Sequence, residues 1–191
     1  MRWRTRLLMG VALLAALALG HAGSAAPGTL SQLFGSRIEA NGRFAQPFAT
    51  GDLDGDGRPD AVYLVMILPQ SPGHEIASDV TVIGKLFGNA PLGPHGEALA
   101  LAIVQAGGKR KFLFTGYHGE GVSSYFESPI WSGTPVPLAI AKRASKTFEQ
   151  FHQEEKRIAH DILVVGTEAG IDTALYWTGQ SYALFQPAEE P

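Results

Sequence analysis

The chain has no cysteine, so it has no disulfide framework and no thiol to carry a lipid. Its fold must rest on a hydrophobic core and on whatever ions it binds. After the apolar run Leu7 to Leu19 there is no second apolar segment long enough to cross a bilayer, which argues against a membrane span in the processed chain. Basic residues are also scarce: 15 Lys and Arg stand against 18 Asp and Glu. A chain that needs to neutralise phosphates shows the reverse balance, so nucleic acid is excluded as a natural partner. The sequence contains neither a G-x-S-x-G elbow nor an H-E-x-x-H zinc motif, so the two commonest local signatures of a hydrolase are absent.

What is present begins with a leader. Arg2, Arg4 and Arg6 precede Leu7 to Leu19, and the small residues Ala22, Gly23, Ser24, Ala25 and Ala26 follow. This order predicts a Sec-type signal peptide over residues 1–25, with cleavage between Ala22 and Ala26 and a periplasmic or secreted destination. An uncleaved N-terminal anchor is the alternative. Losing the three leader arginines leaves 12 basic residues against 18 acidic ones, about −6 for the mature chain. A mature length of about 165 residues is ample for one domain with its own core.

The densest chemistry lies in Gly51-Asp52-Leu53-Asp54-Gly55-Asp56-Gly57-Arg58-Pro59-Asp60. Ca²⁺ takes about 6–8 oxygen ligands at roughly 2.3–2.6 Å, and a short loop supplies them when side chains at every second position turn inward together. Asp52, Asp54 and Asp56 have that spacing. Gly55 and Gly57 allow backbone dihedrals that a Cβ would penalise, which lets the carbonyl of Arg58 and the carboxylate of Asp60 close the shell. Without a cation the four carboxylates repel one another and the empty loop is destabilised. The alternative is a solvated turn, since Asp and Gly are also turn residues.

An EF-hand would carry a bidentate Glu at the twelfth loop position, but here that position is Tyr63. The residues that follow the loop, Ala61 to Leu68, are apolar, partly β-branched and end at Pro69, which predicts a buried strand. The unit from Phe48 to Val62 resembles the FG-GAP/VCBS repeat of secreted and surface proteins, in which a DxDxDGxxD loop runs into a β-strand. The resemblance covers about fifteen residues. It implies Ca²⁺ held by Asp52, Asp54, Asp56, the Arg58 carbonyl and Asp60, in a bacterial periplasmic or extracellular protein. The family stacks several such repeats into a propeller, whereas this chain has one loop.

The rest of the chain predicts a mainly β domain over residues 48–187, an antiparallel sheet, sandwich or partial-propeller arrangement with about one surface helix. It is preceded by a lead-in over residues 26–47 and followed by a short tail, residues 188–191. Strands are expected at Val80–Ile83, Leu138–Ala141, Asp161–Val165, Thr173–Trp177 and Tyr182–Phe185, and a hairpin at Ala98–Gln105 and Arg110–Thr115 around Ala106-Gly107-Gly108-Lys109. Residues 142–157 carry Ala144, Phe148, Phe151 and Ile158 near one face, the pattern of a surface helix. Leu175 to Tyr182 resembles the W-x-G-x-x-Y/F hairpin that often follows FG-GAP-like loops.

One further loop could carry function. Tyr117, His118, Glu120 and Tyr125 sit in a glycine-rich segment that, with Trp177, could form a binding lip for a protein or a carbohydrate, although the first reading of Trp177 and Tyr182 is packing in the core or across their strand pair. His118 and Glu120 could alternatively serve as a base and its partner in a small secreted hydrolase, with Ca²⁺ structural. The first expectation is therefore an exported, non-catalytic, calcium-stabilised binding or structural module, and the second is that enzyme. A third, that the chain is one subunit of a larger propeller-like assembly, follows from the single repeat.

Overall fold

Residues that alternate between two environments along a strand bury both faces only if each face meets a different layer. The strands here do that. The computed structural model describes residues 27–40, 47–84, 98–115, 138–166 and 172–187. Among them are ten strands and two α-helices: α1 (Pro27–Phe34), β1 (Ile38–Ala40), β2 (Ala49–Gly51), β3 (Asp60–Ile67), β4 (Val80–Ile83), β5 (Ala98–Val104), β6 (Lys111–Phe114), β7 (Leu138–Ala141), α2 (Lys146–Glu154), β8 (Ile162–Val165), β9 (Thr173–Trp177) and β10 (Tyr182–Phe185). No helix among the described residues is long and apolar enough to cross a membrane.

The strands form two sheets. The first has the order β1-β3-β5-β6-β4, with β2 also paired to β3, and the second is the meander β10-β9-β8-β7. In β3, Val62 and Leu64 face the second sheet, together with Leu101, Ile103, Phe112 and Phe114. From the second sheet Leu163, Val165, Leu175, Trp177 and Tyr182 meet them. The intervening residues Tyr63, Val65 and Ile67 point the other way, onto Leu30 and Phe34 of α1. The second sheet repeats the arrangement: Ile162, Val164, Ala174 and Tyr176 lie under Phe148 and Phe151 of α2. The result is four layers, helix, sheet, sheet, helix, with one core between the sheets and one beneath each helix. Each fully buried Leu, Ile or Phe in these layers contributes about 1.5–3 kcal/mol relative to exposure.

The mainly β expectation holds, and so do the expected strands and the hairpin of β5 and β6, in which Leu101 pairs with Phe114 and Val104 with Lys111. Two features differ from the sequence reading. The pairing of β4 with β6 is parallel, because the chain returns through β5 before β6 is laid down beside β4, so the first sheet is mixed. The expected surface helix is α2, capped by Ser145, whose Oγ accepts from the Phe148 N–H at 3.2 Å. The other helix, α1, lies in the segment expected as a lead-in, where Leu30, Phe34 and Ile38 are each 0% exposed and β1 pairs with Val65–Ile67 of β3.

Candidate metal centre

The aspartate loop connects β2 to β3, so its two ends are held by an antiparallel pair in which Gly51 faces Asp60. Between them the chain must reverse within eight residues while presenting its carboxylates to one point. Gly55 and Gly57 make this possible, with φ of 79° and 80°, in the left-handed region that a Cβ disfavours. Leu53, buried at 1% exposure, turns the opposite way and anchors the loop in the inter-sheet core.

Each aspartate of the cluster uses one oxygen to fix the loop. Asp52 Oδ2 accepts from the Gly57 N–H at 3.1 Å, Asp54 Oδ1 from Asp56 N–H at 3.1 Å, and Asp56 Oδ1 from Arg58 N–H at 2.9 Å. One ligand atom from each of the three lies within 4.8 Å of the others. Two oxygens that share a Ca²⁺ at roughly 2.3–2.6 Å cannot be more than about 5 Å apart, so the spacing suits a single ion. The second oxygen of Asp52, Oδ1, is sealed from solvent and has no hydrogen-bond partner. A buried carboxylate oxygen without a donor is costly, on the order of 1–3 kcal/mol or more for a charged group, unless a cation meets it. The donor set, hard oxygens only, fits a hard cation.

Asp60 has a different task. It is 0% exposed, and both of its oxygens are taken by backbone donors: Oδ2 by the N–H groups of Leu53 and Asp54 at 3.0 and 3.2 Å, Oδ1 by that of Ala106 at 2.9 Å. It therefore pins the start of the loop and the turn between β5 and β6 to the beginning of β3. Burial pushes its carboxyl up to about 6; the Ala106, Leu53 and Asp54 N–H groups oppose this, and the negative charge of Asp54 adds to it. Arg58, whose carbonyl was expected among the ligands, extends its guanidinium across Gly107, where an added Cβ would come within 3.4 Å of Nη2. Lys109 Nζ approaches Asp56 Oδ2 at 3.9 Å, a mostly exposed pair that contributes little.

Two parts of the second sheet's connections reach the same loop. Asp161, just before β8, accepts from the Asp52 N–H at 3.1 Å and from the Arg143 N–H at 2.8 Å. The ring of His160 lies against Gly55, whose added Cβ would stand 2.2 Å from its Cε1 and Nδ1. Nothing in a sequence links residues more than a hundred positions apart, so neither contact with the loop could be read from it. Behind the loop, Gln105 Nε2 lies 3.5 Å from the Tyr182 hydroxyl, and burial raises the pKa of that hydroxyl, helped by the charges of Asp60, Asp54 and Asp52.

Of the other candidates named from the sequence, only Trp177 is among the described residues. Trp177 is 8% exposed and packs edge-on against Phe112 at 5.6 Å, with the Arg110 guanidinium 5.5 Å from its ring centre, so it is a core residue and not part of an exposed lip. Its strand partner Tyr182 closes the same aromatic group, 5.1 Å from Phe112. Tyr117, His118, Glu120 and Tyr125 lie outside the described residues, as do residues 1–25 of the expected leader and the tail. Comparison of the chain with protein-family profiles, with curated proteins and with solved structures gives no match in any of the three.

Proposed function

We propose that the protein is an exported, non-catalytic binding or structural module whose loop of residues 52–60 holds Ca²⁺ and thereby stabilises the fold. The observation that carries this reading is the cluster of Asp52, Asp54 and Asp56 within 4.8 Å, with Asp52 Oδ1 buried and unpartnered. In this reading Asp52, Asp54 and Asp56 each give one oxygen, the Arg58 carbonyl and water complete the shell, and Asp60 holds the loop from beneath. Three carboxylates with backbone and water oxygens favour Ca²⁺ over Mg²⁺, which demands a near-ideal octahedron and keeps most of its own water. The resemblance of residues 48–62 to an FG-GAP/VCBS repeat supports the same ion, and the leader supports a compartment in which Ca²⁺ is plentiful. A protein or carbohydrate is the kind of partner such a module would present a surface to.

The cation's effect follows from mass action. An ion that binds only the native state stabilises it by RT ln(1 + [L]/Kd), so about 2 mM Ca²⁺ at a Kd of about 0.1 mM contributes about 1.8 kcal/mol. For a domain of this size that is a rise of about 4–7 °C in Tm. Thermal unfolding in EDTA and in 2 mM CaCl₂ tests it, with the Asp54→Ala, Asp56→Ala variant alongside. Ca²⁺ should raise the wild-type midpoint by that amount and leave the variant's unchanged. An equal response in both proteins, or none in either, removes the loop as the site.

A further inference from the structure

The metal loop belongs to the first sheet, but its first ligand residue is held by the second. The Asp161 carboxylate stands between two backbone donors, the N–H of Asp52 at 3.1 Å through Oδ2 and the N–H of Arg143 at 2.8 Å through Oδ1. Arg143 follows β7 and Asp161 precedes β8, so the two ends of the excursion that contains α2 are closed by this one side chain. An added Cβ on Gly51 would come within 3.3 Å of Asp161 Oδ2 and 2.8 Å of Ile140 Cγ2, which shows how closely β2 and β7 approach at this point. On the other side of the loop, His160 lies against Gly55.

We infer that Asp161 is a positioning residue for the metal site, fixing the backbone of Asp52 so that its carboxylate stays in the cluster with those of Asp54 and Asp56. The inference rests on the calcium reading of the loop. Asp161 is not itself a ligand: its oxygens are committed to backbone donors, and the close cluster consists of Asp52, Asp54 and Asp56. Its hydrogen bonds are charge-assisted, the stronger kind, and they fix the φ/ψ of the residue whose other backbone neighbour, Leu53, is held by Asp60. Asp52 is thereby held between two carboxylates, one from each sheet. Binding of the ion and closure of the two sheets are coupled as a consequence, since each lowers the entropy the other must remove.

The test is the Asp161→Asn variant of the purified protein, titrated with CaCl₂ by calorimetry after EDTA has been dialysed away, with Asp161→Glu beside it. Asn keeps the shape but offers an amide N–H₂ where one backbone donor needs an acceptor. The expected result is about a tenfold weaker Kd for Asp161→Asn, the equivalent of about 1.4 kcal/mol, with a smaller loss for Asp161→Glu, which retains the charge. A purely structural side chain would lower the melting temperature equally in EDTA and in Ca²⁺ and leave Kd unchanged, and that outcome overturns the inference. If Asp161→Asn is too unstable to purify, Asp161→Glu must itself weaken Kd measurably for the inference to stand. Failure of the wild type to bind Ca²⁺ overturns the metal reading, and this inference with it, whereas wild-type binding with an unaltered Asp161→Asn affinity overturns this inference alone.

Discussion

Gly55 and Gly57 have nearly the same backbone conformation and very different surroundings, so alanine at each position separates two costs. Both have positive φ, 79° and 80°, and an L-residue there costs about 1–2 kcal/mol. At Gly57 the added methyl group meets no atom within 4 Å, so Gly57→Ala should cost that amount and no more. At Gly55 the methyl group would stand 2.2 Å from two atoms of the His160 ring and 2.8 Å from a third. Relieving that overlap requires the ring or the loop to move, a further cost of about 1–3 kcal/mol. Gly55→Ala is therefore expected to destabilise the protein by about 2–5 kcal/mol in total. The added part depends on the ring. In the His160→Ala background, Gly55→Ala should cost only the backbone share, while Gly57→Ala should cost the same in both backgrounds. Equilibrium urea unfolding in EDTA, followed by intrinsic fluorescence, measures all six proteins without metal linkage. Equal costs for the two glycines, or a Gly55→Ala cost that His160→Ala does not reduce, would refute the packing of the second sheet's connection against the loop.

Two further outcomes check other parts of the structure. In EDTA, the Asp60 carboxyl is held at about 6 in the native state, above its ordinary value of 3.8, so the folded protein prefers it protonated. Its contribution to stability is full below the ordinary value and is lost as pH rises through about 6. Asp60→Asn should therefore flatten the fall in Tm over that window, whatever its absolute stability; an unchanged pH slope would show that the three backbone N–H groups outweigh burial. Phe34→Ala, at a position with 0% exposure under the first sheet, should cost about 3–5 kcal/mol by urea unfolding, whereas a loss below about 1 kcal/mol would mean that α1 is dispensable.

Much of the site was legible because its information is local. The alternation of aspartates at residues 52, 54 and 56, the glycines that permit the turn and the apolar run that follows are all neighbours in sequence. Each loop-fixing bond within the cluster spans at most five residues. The helix of residues 146–154 was legible for the same reason, through the spacing of Phe148 and Phe151. Asp60 was harder. Its place in the motif marked it as one more ligand, but one of its three backbone donors is Ala106, which lies 46 residues away across the sheet. The segment of residues 27–40 reads from sequence as a lead-in with at most a short amphipathic turn at Leu30, Leu33, Phe34 and Ile38. Leu30, Phe34 and Ile38 show their role only once a sheet face exists to receive them.

By itself, then, the sequence determined which residues alternate, where the chain turns and which carboxylates share a loop, because hydrophobic period, glycine freedom and ligand spacing act over a few bonds. Only the tertiary structure decided that β4 runs parallel to β6 and that Asp161 and His160 close on the aspartate loop. An alternating strand states that it has an inner face without stating which layer covers it. Strand order, face pairing and contacts over a hundred residues are set by the packing of all the layers together, a property no local stretch contains.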